Sequence, residues 1–313
     1  MKTILKHMRV FLSILLFFQH TGAASTPPVL VVYPEAPEPY RQAFEQLMTG
    51  MTDALEVPLH RQKITAATRW TTLHDELARE PTDTIVVLLG QHAFNLYQQG
   101  PSTSRTVLVG GLNALPGQIA LPGISLTIDP TLYLHRLHTL LPDIQQVIVF
   151  YHAQEQPWMV QVQSAAAAAG IRVDGRAIAD AMDAVRQLGA TLPTLDAQTT
   201  AVWFGRNTLT LDTELMYPYV LEQSWERRIA VFSDTIAHVR RGFLFALYPD
   251  YTAVGAELGH QVQQIRQGTR SAHIGLQFTR AAQFTLNART ARHLGLFLRD
   301  DLLQRAQPLF PPP

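Results

Sequence analysis

The chain has 313 residues, of which 25 are basic and 25 acidic, so its formal net charge at pH 7 is zero. Apolar residues make up 47% of the sequence and charged residues only 16%, a balance that argues for a globular protein and against a disordered one. The charge pattern lacks a basic stripe that could follow a phosphate backbone, which argues against nucleic acid as a partner. Cysteine is absent, so the protein folds without disulfide bonds.

The first 24 residues have the layout of a cleavable secretory signal. A basic start precedes an apolar run over residues 10–18, and small residues follow at positions 22–24. We expect cleavage between Ala24 and Ser25. The alternative is a membrane anchor, but this apolar run is much shorter than the ~20 residues that cross a bilayer. The sequence therefore predicts a signal peptide over residues 1–24 and a mature protein in a bacterial periplasm, since no cysteine is available for lipidation.

Short apolar runs alternate with amphipathic stretches along the mature chain. Runs of this kind predict strands covered on both faces, as in a parallel sheet. The predicted strands span residues 29–33, 84–89, 106–109, 147–151, 171–173, 201–204, 229–232 and 243–247. Apolar residues recur every three or four positions in the stretches 40–55 and 252–268, which predicts helices there. The alternation indicates βαβ units and an α/β fold.

The strand and helix pattern restarts near residue 143, after a predicted helix over residues 130–141. Each of the two series has about the size of one doubly wound lobe, and a single nine-stranded sheet is the alternative that periodicity leaves open. The proline-rich residues 307–313 are expected to form a flexible tail.

Motifs of catalysis are missing from the sequence. There is no nucleophile elbow, no phosphate-binding loop and no zinc-protease motif, so we expect no catalytic residues and no cofactor. His135 and His138 share one face of a predicted helix and could both reach a metal ion. Nothing in the sequence supplies a further ligand beside them. A half-exposed helix face explains the pair better, and we expect no metal site.

Polar and aromatic residues cluster where predicted strands end or the next helix opens. In open α/β sheets, ligands bind beyond the carboxyl ends of the strands. Turn and N-cap roles are the alternative for each residue taken alone, and it is their repeated placement on one edge that favours a binding site. The candidate ligand-binding residues are Tyr33, Tyr40, Gln91, His92, Asn113, Tyr151, Trp158, Arg206, Asn207 and Asp234.

Several of these candidates suggest how a ligand is held. Arg206 could clamp a carboxylate, and backbone N–H groups at the helix starts would favour an anionic group. Tyr40 or Trp158 could stack on a ring or apolar portion. The alternatives are that Trp158 packs inside its lobe and that Arg206 pairs with a surface acid.

Ordered pieces of the sequence resemble the ABC-transporter substrate-binding proteins, in the group that includes tryptophan and tyrosine binders. Residues 228–232 (RIAVF) match a strand of that family, and residues 242–251 (GFLFALYPDY) match the segment that follows it. Residues 255–268 resemble the family's next helix, and residues 284–295 resemble its "lviNlktAkalG" segment. The stretches 123–125 (GIS) and 140–151 are similar to its "Gvs" and "llPgvkrvgvly" pieces.

The resemblance implies two Rossmann-like lobes joined by a hinge, the type I periplasmic-binding fold. Lobe one would comprise residues 25–142 and 248–275, lobe two residues 143–247 and 276–306, with crossovers near 142, 247 and 275. A small-molecule ligand, such as an amino acid or another carboxylate, would bind between the lobes and favour their closure. The closed protein would deliver the ligand to an ABC permease. The alternative is a sensor that reports the ligand to a histidine kinase or another membrane receptor.

Overall fold

The computed structural model describes residues 27–101, 103–205 and 216–311. The strands are β1 Val29–Pro34, β2 His60–Ile64, β3 Ile85–Leu89, β4 Val107–Gly110, β5 Gly123–Ile128, β6 Gln146–His152, β7 Arg172–Ile178, β8 Thr200–Phe204, β9 Ala230–Ser233, β10 Phe245–Pro249, β11 Leu276–Thr279, β12 Ala282–Asn287 and β13 Ala306–Phe310. The α-helices are α1 Tyr40–Leu55, α2 Trp70–Arg79, α3 Gly90–Gln98, α4 Pro130–Leu140, α5 Gln156–Ala168, α6 Ala181–Thr191, α7 Met216–Arg227, α8 Ile236–Arg241, α9 Tyr251–Arg266, α10 Ser271–Ile274, α11 Ala288–His293 and α12 Asp300–Arg305. The predicted signal peptide lies outside the described residues.

The strands of the described residues form two sheets, one of six strands and one of seven. The first has the order β11-β5-β4-β3-β1-β2, and all of its pairs are parallel. The second has the order β13-β12-β10-β9-β8-β6-β7, with only the β10–β12 pair antiparallel. The predicted α/β fold with two doubly wound lobes is confirmed.

The apolar runs form strands because helices cover both faces of each sheet. Every residue of β3 and of β8 is buried, and residues of one strand alternate between two cores. In the first lobe, Val86 and Leu88 belong to one apolar cluster, while Val87 faces the other. Continuous burial of this kind removes the polar positions that an exposed sheet face would require.

The chain crosses between the lobes at different points from those expected. It first crosses at residue 129 and not near 142, because the apolar face of α4 packs against the second sheet. Its return at residue 250 is close to the expected 247, and α9 then packs on the first lobe. The last crossover falls at 280–281, because β11 pairs with β5 in the first sheet. The lobes therefore comprise residues 27–128 with 251–279 and residues 130–249 with 282–310.

The three crossovers lie side by side and are joined by hydrogen bonds. The Asp129 amide donates to Thr279 O, and the Asp250 amide donates to Ala281 O, both at 3.0 Å. Arg280 Nη1 lies 3.1 Å from Asp129 Oδ2. Three short, mutually bonded segments therefore connect the two lobes, which is the arrangement found at hinges between domains.

The prediction of a flexible tail over residues 307–313 is wrong for most of its length, because residues 307–310 belong to β13. β13 includes Pro308 and pairs in parallel with β12 at the edge of the second sheet. An edge strand tolerates proline because one row of its N–H groups has no partner strand. Thr285 Oγ1 donates to the Pro308 carbonyl at 2.6 Å and ties the segment down.

Helices α1 and α9 cross at unusually short range in the first lobe. Glycines line the contact: Gly50 lies against the backbone of Thr252, and Gly255 lies against the backbone of Leu47. A Cβ atom built on either glycine would come well within 3.0 Å of those backbone atoms. The contact therefore depends on residues without side chains. No helix in the described part of the chain is long and apolar enough to cross a membrane.

Candidate functional site

A cleft of about 200 Å³ lies between the two lobes, beyond the carboxyl ends of strands from both sheets. Its residues follow β4 and end β5 in the first lobe, and follow β6 and β9 in the second. The cleft is lined by Asn113, Ala114, Leu115, Gln118, Thr127, Ile128, Tyr133, Gln154, Glu155, Trp158, Trp203 and Asp234. This is where open α/β sheets place their ligands.

The first-lobe wall is a loop held in place by Ser125. This serine is fully buried in β5, and its hydroxyl oxygen accepts hydrogen bonds from the amides of Ala114 (3.2 Å) and Thr127 (2.9 Å). The same hydroxyl donates to Leu112 O at 3.3 Å. One side chain thus fixes the loop after β4 that carries Asn113 into the cleft.

The second-lobe wall begins with a capped turn after β6. His152 Nδ1 accepts from the Gln154 amide at 3.3 Å, and Glu155 Oε2 accepts from the His152 amide at 3.0 Å. The reciprocal bonds satisfy backbone donors at the start of the turn. They place Gln154 and Glu155 on the cleft surface, one turn before Trp158.

An aromatic cluster forms the floor of the cleft. Trp203 is fully buried in β8, and its ring lies 4.7 Å from that of Tyr133 and 5.1 Å, edge to face, from that of Trp158. Behind it the ring of Phe232 stacks at 5.3 Å and anchors the cluster in the core. The half-buried Trp158 therefore presents ring surface to the cleft, in front of the buried rings of Tyr133 and Trp203.

The indole nitrogen of Trp203 is a buried donor with no hydrogen-bond partner among the described residues. Leaving a buried N–H without an acceptor costs roughly 1–3 kcal/mol. Since Trp203 lines the cleft, a ligand oxygen or nitrogen that accepts this hydrogen would recover that cost.

The described lining carries two acidic residues, Glu155 and Asp234, and no lysine or arginine. Two expected binding residues of the second lobe, Arg206 and Asn207, lie outside the described residues. The expectation that Arg206 clamps a carboxylate therefore remains a prediction.

Three of the expected residues come together in the cleft, namely Asn113, Trp158 and Asp234. Asn113 and Asp234 follow β4 and β9, and Trp158 lies in the first turn of α5, the helix after β6. Trp158 is half-buried and lies beside Gly205 as well as Trp203. It therefore packs inside the second lobe and also faces the cleft.

The other described candidates lie elsewhere. Tyr33 packs on the core of the first lobe, and Tyr151 is buried with its hydroxyl donating to Gln156 Oε1. Gln91 donates to Asn95 Oδ1 at 2.7 Å, whereas His92 Nε2 donates to Thr65 O at 3.1 Å. Tyr40 is 65% exposed and lines a separate groove behind the hinge, with Tyr248 and Tyr251.

Residue-by-residue reasoning from the sequence misses the two aromatic residues at the centre of the cleft. Trp203 lies inside a predicted strand, where its apolar neighbours indicate core, and Tyr133 lies on a helix expected in the other lobe. The position of Trp203, one residue before the end of its strand, is the signal that could have identified it as a cleft residue. A bulky side chain there reaches the same sheet edge as the loop that follows.

Two doubly wound lobes with a cleft between their facing strand ends define a protein of the type I periplasmic-binding fold. The fold is shared with the ligand-free, open structure of CD0873, a substrate-binding protein with adhesive properties from Clostridium difficile. That structure is 16% identical, with a TM-score of 0.60 over 89% of this chain and 98% of that one. An ABC domain in complex with L-Trp from Streptococcus pneumonia is 14% identical, with a TM-score of 0.50 over 91% and 100%. A periplasmic ribose ABC transporter structure from Conexibacter woesei is 13% identical, with a TM-score of 0.50 over 88% and 96%.

The family itself is identified from the sequence. Residues 122–309, more than half of the chain, match the family of ABC transporter substrate binding proteins, and the chain belongs to that family. The predicted family is thereby confirmed. No curated protein matches the sequence.

Proposed function

We propose that this protein captures a small molecule in the cleft between its lobes, in the periplasm, and delivers it to an ABC-type membrane transporter. The observation that supports it best is the cleft itself, where residues of both lobes face one space beyond the strand ends. A ligand that contacts both walls gains more affinity in the closed state than in the open one, and so drives closure. No bond is made or broken in this cycle.

The cleft chemistry favours a ligand with a flat apolar portion and at least one hydrogen-bond acceptor. Tyr133 and Trp158 supply ring surface for stacking, and Trp203 Nε1 supplies the donor. A cavity of about 150 Å³ holds one benzene ring, so the cleft has room for a single substituted ring. The pneumococcal structure in complex with L-Trp supports a ring-containing ligand for this fold.

Ligand binding and closure can be tested together. A thermal-shift screen with amino acids, aromatic acids, sugars and amines identifies a ligand, since binding at 100 times the dissociation constant stabilises by ~2.7 kcal/mol. Small-angle scattering then measures the radius of gyration with and without it. We expect the radius to fall on binding. Tight binding with no compaction would contradict the two-lobe mechanism.

A matched pair of tryptophan variants tests whether the ligand occupies the cleft. Trp158 lines the cleft, whereas Trp225 lies on the second lobe with 39% of its surface exposed. We expect Trp158→Ala to weaken binding by about tenfold or more, because an aromatic stacking partner contributes ~1 kcal/mol beyond its buried area. Trp225→Ala should leave the affinity unchanged. Equal effects of the two variants would place the ligand elsewhere.

Delivery is tested in cells that lack the protein. Loss of uptake of the radiolabelled ligand, restored by the parent protein and not by Trp158→Ala, would support transport. Unchanged uptake together with a lost transcriptional response to the ligand would contradict transport and support a sensor.

A further inference from the structure

A second cavity, which we call the distal pocket, lies at the end of the second lobe opposite the cleft. Its lining includes Ile229 and Gly242, which precede β9 and β10, whereas the cleft lies beyond the carboxyl ends of the strands. The volume of the distal pocket is about 750 Å³. This falls in the range of about 300–1,000 Å³ typical of small-molecule sites.

The walls of the distal pocket are mostly apolar. Leu221, Leu294 and Phe310 line it, from α7, the loop after α11 and the last strand. The ring of Trp225 lies parallel to that of His293, with centroids 3.7 Å apart, and 39% of the Trp225 surface is exposed. A partly exposed tryptophan fixed against a second ring is a typical anchor for a flat ligand.

Polar side chains hold the surrounding elements together and shape the pocket. Thr290 Oγ1 donates to Gly242 O at 2.8 Å, joining α11 to the end of α8. His293 Nε2 donates to the carbonyl oxygen of Trp225 at 2.7 Å, joining α11 to α7. The pocket is therefore formed before any ligand binds, which lowers the entropic cost of binding.

Three arginines line the distal pocket, Arg240, Arg241 and Arg289, and the guanidinium of Arg241 lies 5.2 Å from the ring centroid of Tyr217. Arg289 lies 5.3 Å from the Trp225 ring centroid. None of the three forms an ion pair within the described part of the chain. Glu222 and Glu226 also line the pocket, but they come from α7, whereas the arginines come from α8 and α11. Three arginines against two glutamates give the lining a net positive charge, and neither glutamate forms an ion pair within the described part of the chain.

We propose that the distal pocket is a second binding site, for an amphipathic anion in which a carboxylate, sulfonate or phosphate is joined to an aromatic ring. The ring lies against Trp225, and the anionic group binds the arginines through charge-assisted hydrogen bonds. This site is separate from the cleft and does not depend on the function proposed for it.

The test uses two fluorescent probes that differ by one charged group. 8-Anilinonaphthalene-1-sulfonate carries a sulfonate, and N-phenyl-1-naphthylamine has the same rings without it. We expect the sulfonate probe to bind the purified protein at one saturable site, roughly tenfold more tightly than the neutral probe. Arg240→Ala and Arg289→Ala should each weaken the binding of the sulfonate probe by about tenfold. The two probes should then bind these variants with similar affinity.

Matched variants separate this site from the cleft and from unfolding. Arg172→Ala removes an exposed arginine from β7 of the same lobe, and Trp158→Ala changes the cleft. Both should bind the sulfonate probe as the parent does, and Glu222→Gln should bind it at least as tightly. Circular dichroism confirms that each variant is folded, since this probe also binds partly unfolded protein. Equal affinity of the parent for both probes, unchanged binding by both arginine variants, or loss of binding in Trp158→Ala would overturn the proposal.

Discussion

Gly255→Ala is expected to lower the free energy of unfolding by about 3 kcal/mol or more. The new methyl group would have to occupy space already filled by the backbone of Leu47 in the facing helix. Backbone atoms cannot rotate away as a side chain can, so α1 and α9 must move apart. That movement also loosens the packing of Val254 and Leu258 against the first sheet. Urea denaturation monitored by circular dichroism measures the effect.

Gly189→Ala is the matched control for this prediction. Gly189 lies within α6 and is exposed, and a methyl group on it would have only the Tyr219 hydroxyl within 4 Å, at 3.9 Å. Alanine favours a helix over glycine, so this variant should gain about 0.5–1 kcal/mol. If Gly255→Ala were as stable as the parent while Gly189→Ala gained stability, the close helix contact would be contradicted.

Trp203→Phe is expected to reduce affinity for the cleft ligand by roughly tenfold to a hundredfold, with little effect on the stability of the ligand-free protein. Phenylalanine keeps aromatic surface beside Tyr133 but removes the N–H that lacks an acceptor among the described residues. Without a ligand, loss of that donor offsets the small cavity that the smaller ring leaves. With a ligand, the acceptor loses its partner. Calorimetric titration and thermal melting measure the two effects.

Phe204→Leu provides the control on the opposite face of the same strand. Phe204 stacks on Phe150 in the other core of the second lobe, at 5.3 Å, and does not line the cleft. This variant should lose about 1–2 kcal/mol of stability and keep its ligand affinity. Unchanged affinity in Trp203→Phe would show that the indole N–H does not contact the ligand.

The sequence predicts those elements whose environment is uniform along their length. β3 and β8 are apolar throughout because both faces are covered, so their composition alone reveals them. β2 (HRQKI) escapes prediction, because it is an edge strand whose exposed positions carry charged and polar residues. The expected boundary at residue 275 places β11 in the wrong lobe, because its pairing with β5 depends on contacts between segments far apart in sequence.

The same limit applies to the cleft. Residues after β4, β6 and β9 meet there, and the expectation that ligands bind beyond strand ends finds Asn113, Trp158 and Asp234. Tyr33 and His92 belong to β1 and to the helix after β3, and these strands lie farther from β5 in the order of the first sheet. Strand order follows from long-range pairing, so local sequence could not separate these two groups. Trp203 and Tyr133 could not be predicted as cleft residues, because the packing of the core decides which way their side chains point.

The positions of the three crossovers also set the order in which the protein can fold as it is made. The first lobe lacks α9 and its edge strand β11 until residues 251–279 have emerged, although its other strands are complete by residue 128. Until then the face of α1 that carries Gly50 lacks its partner helix α9. A fragment that stops at residue 250 lacks α9 and β11, so it should be unable to complete its first lobe at any time after synthesis. Completion of the first lobe therefore waits until residue 279 of a chain of 313 residues has been made.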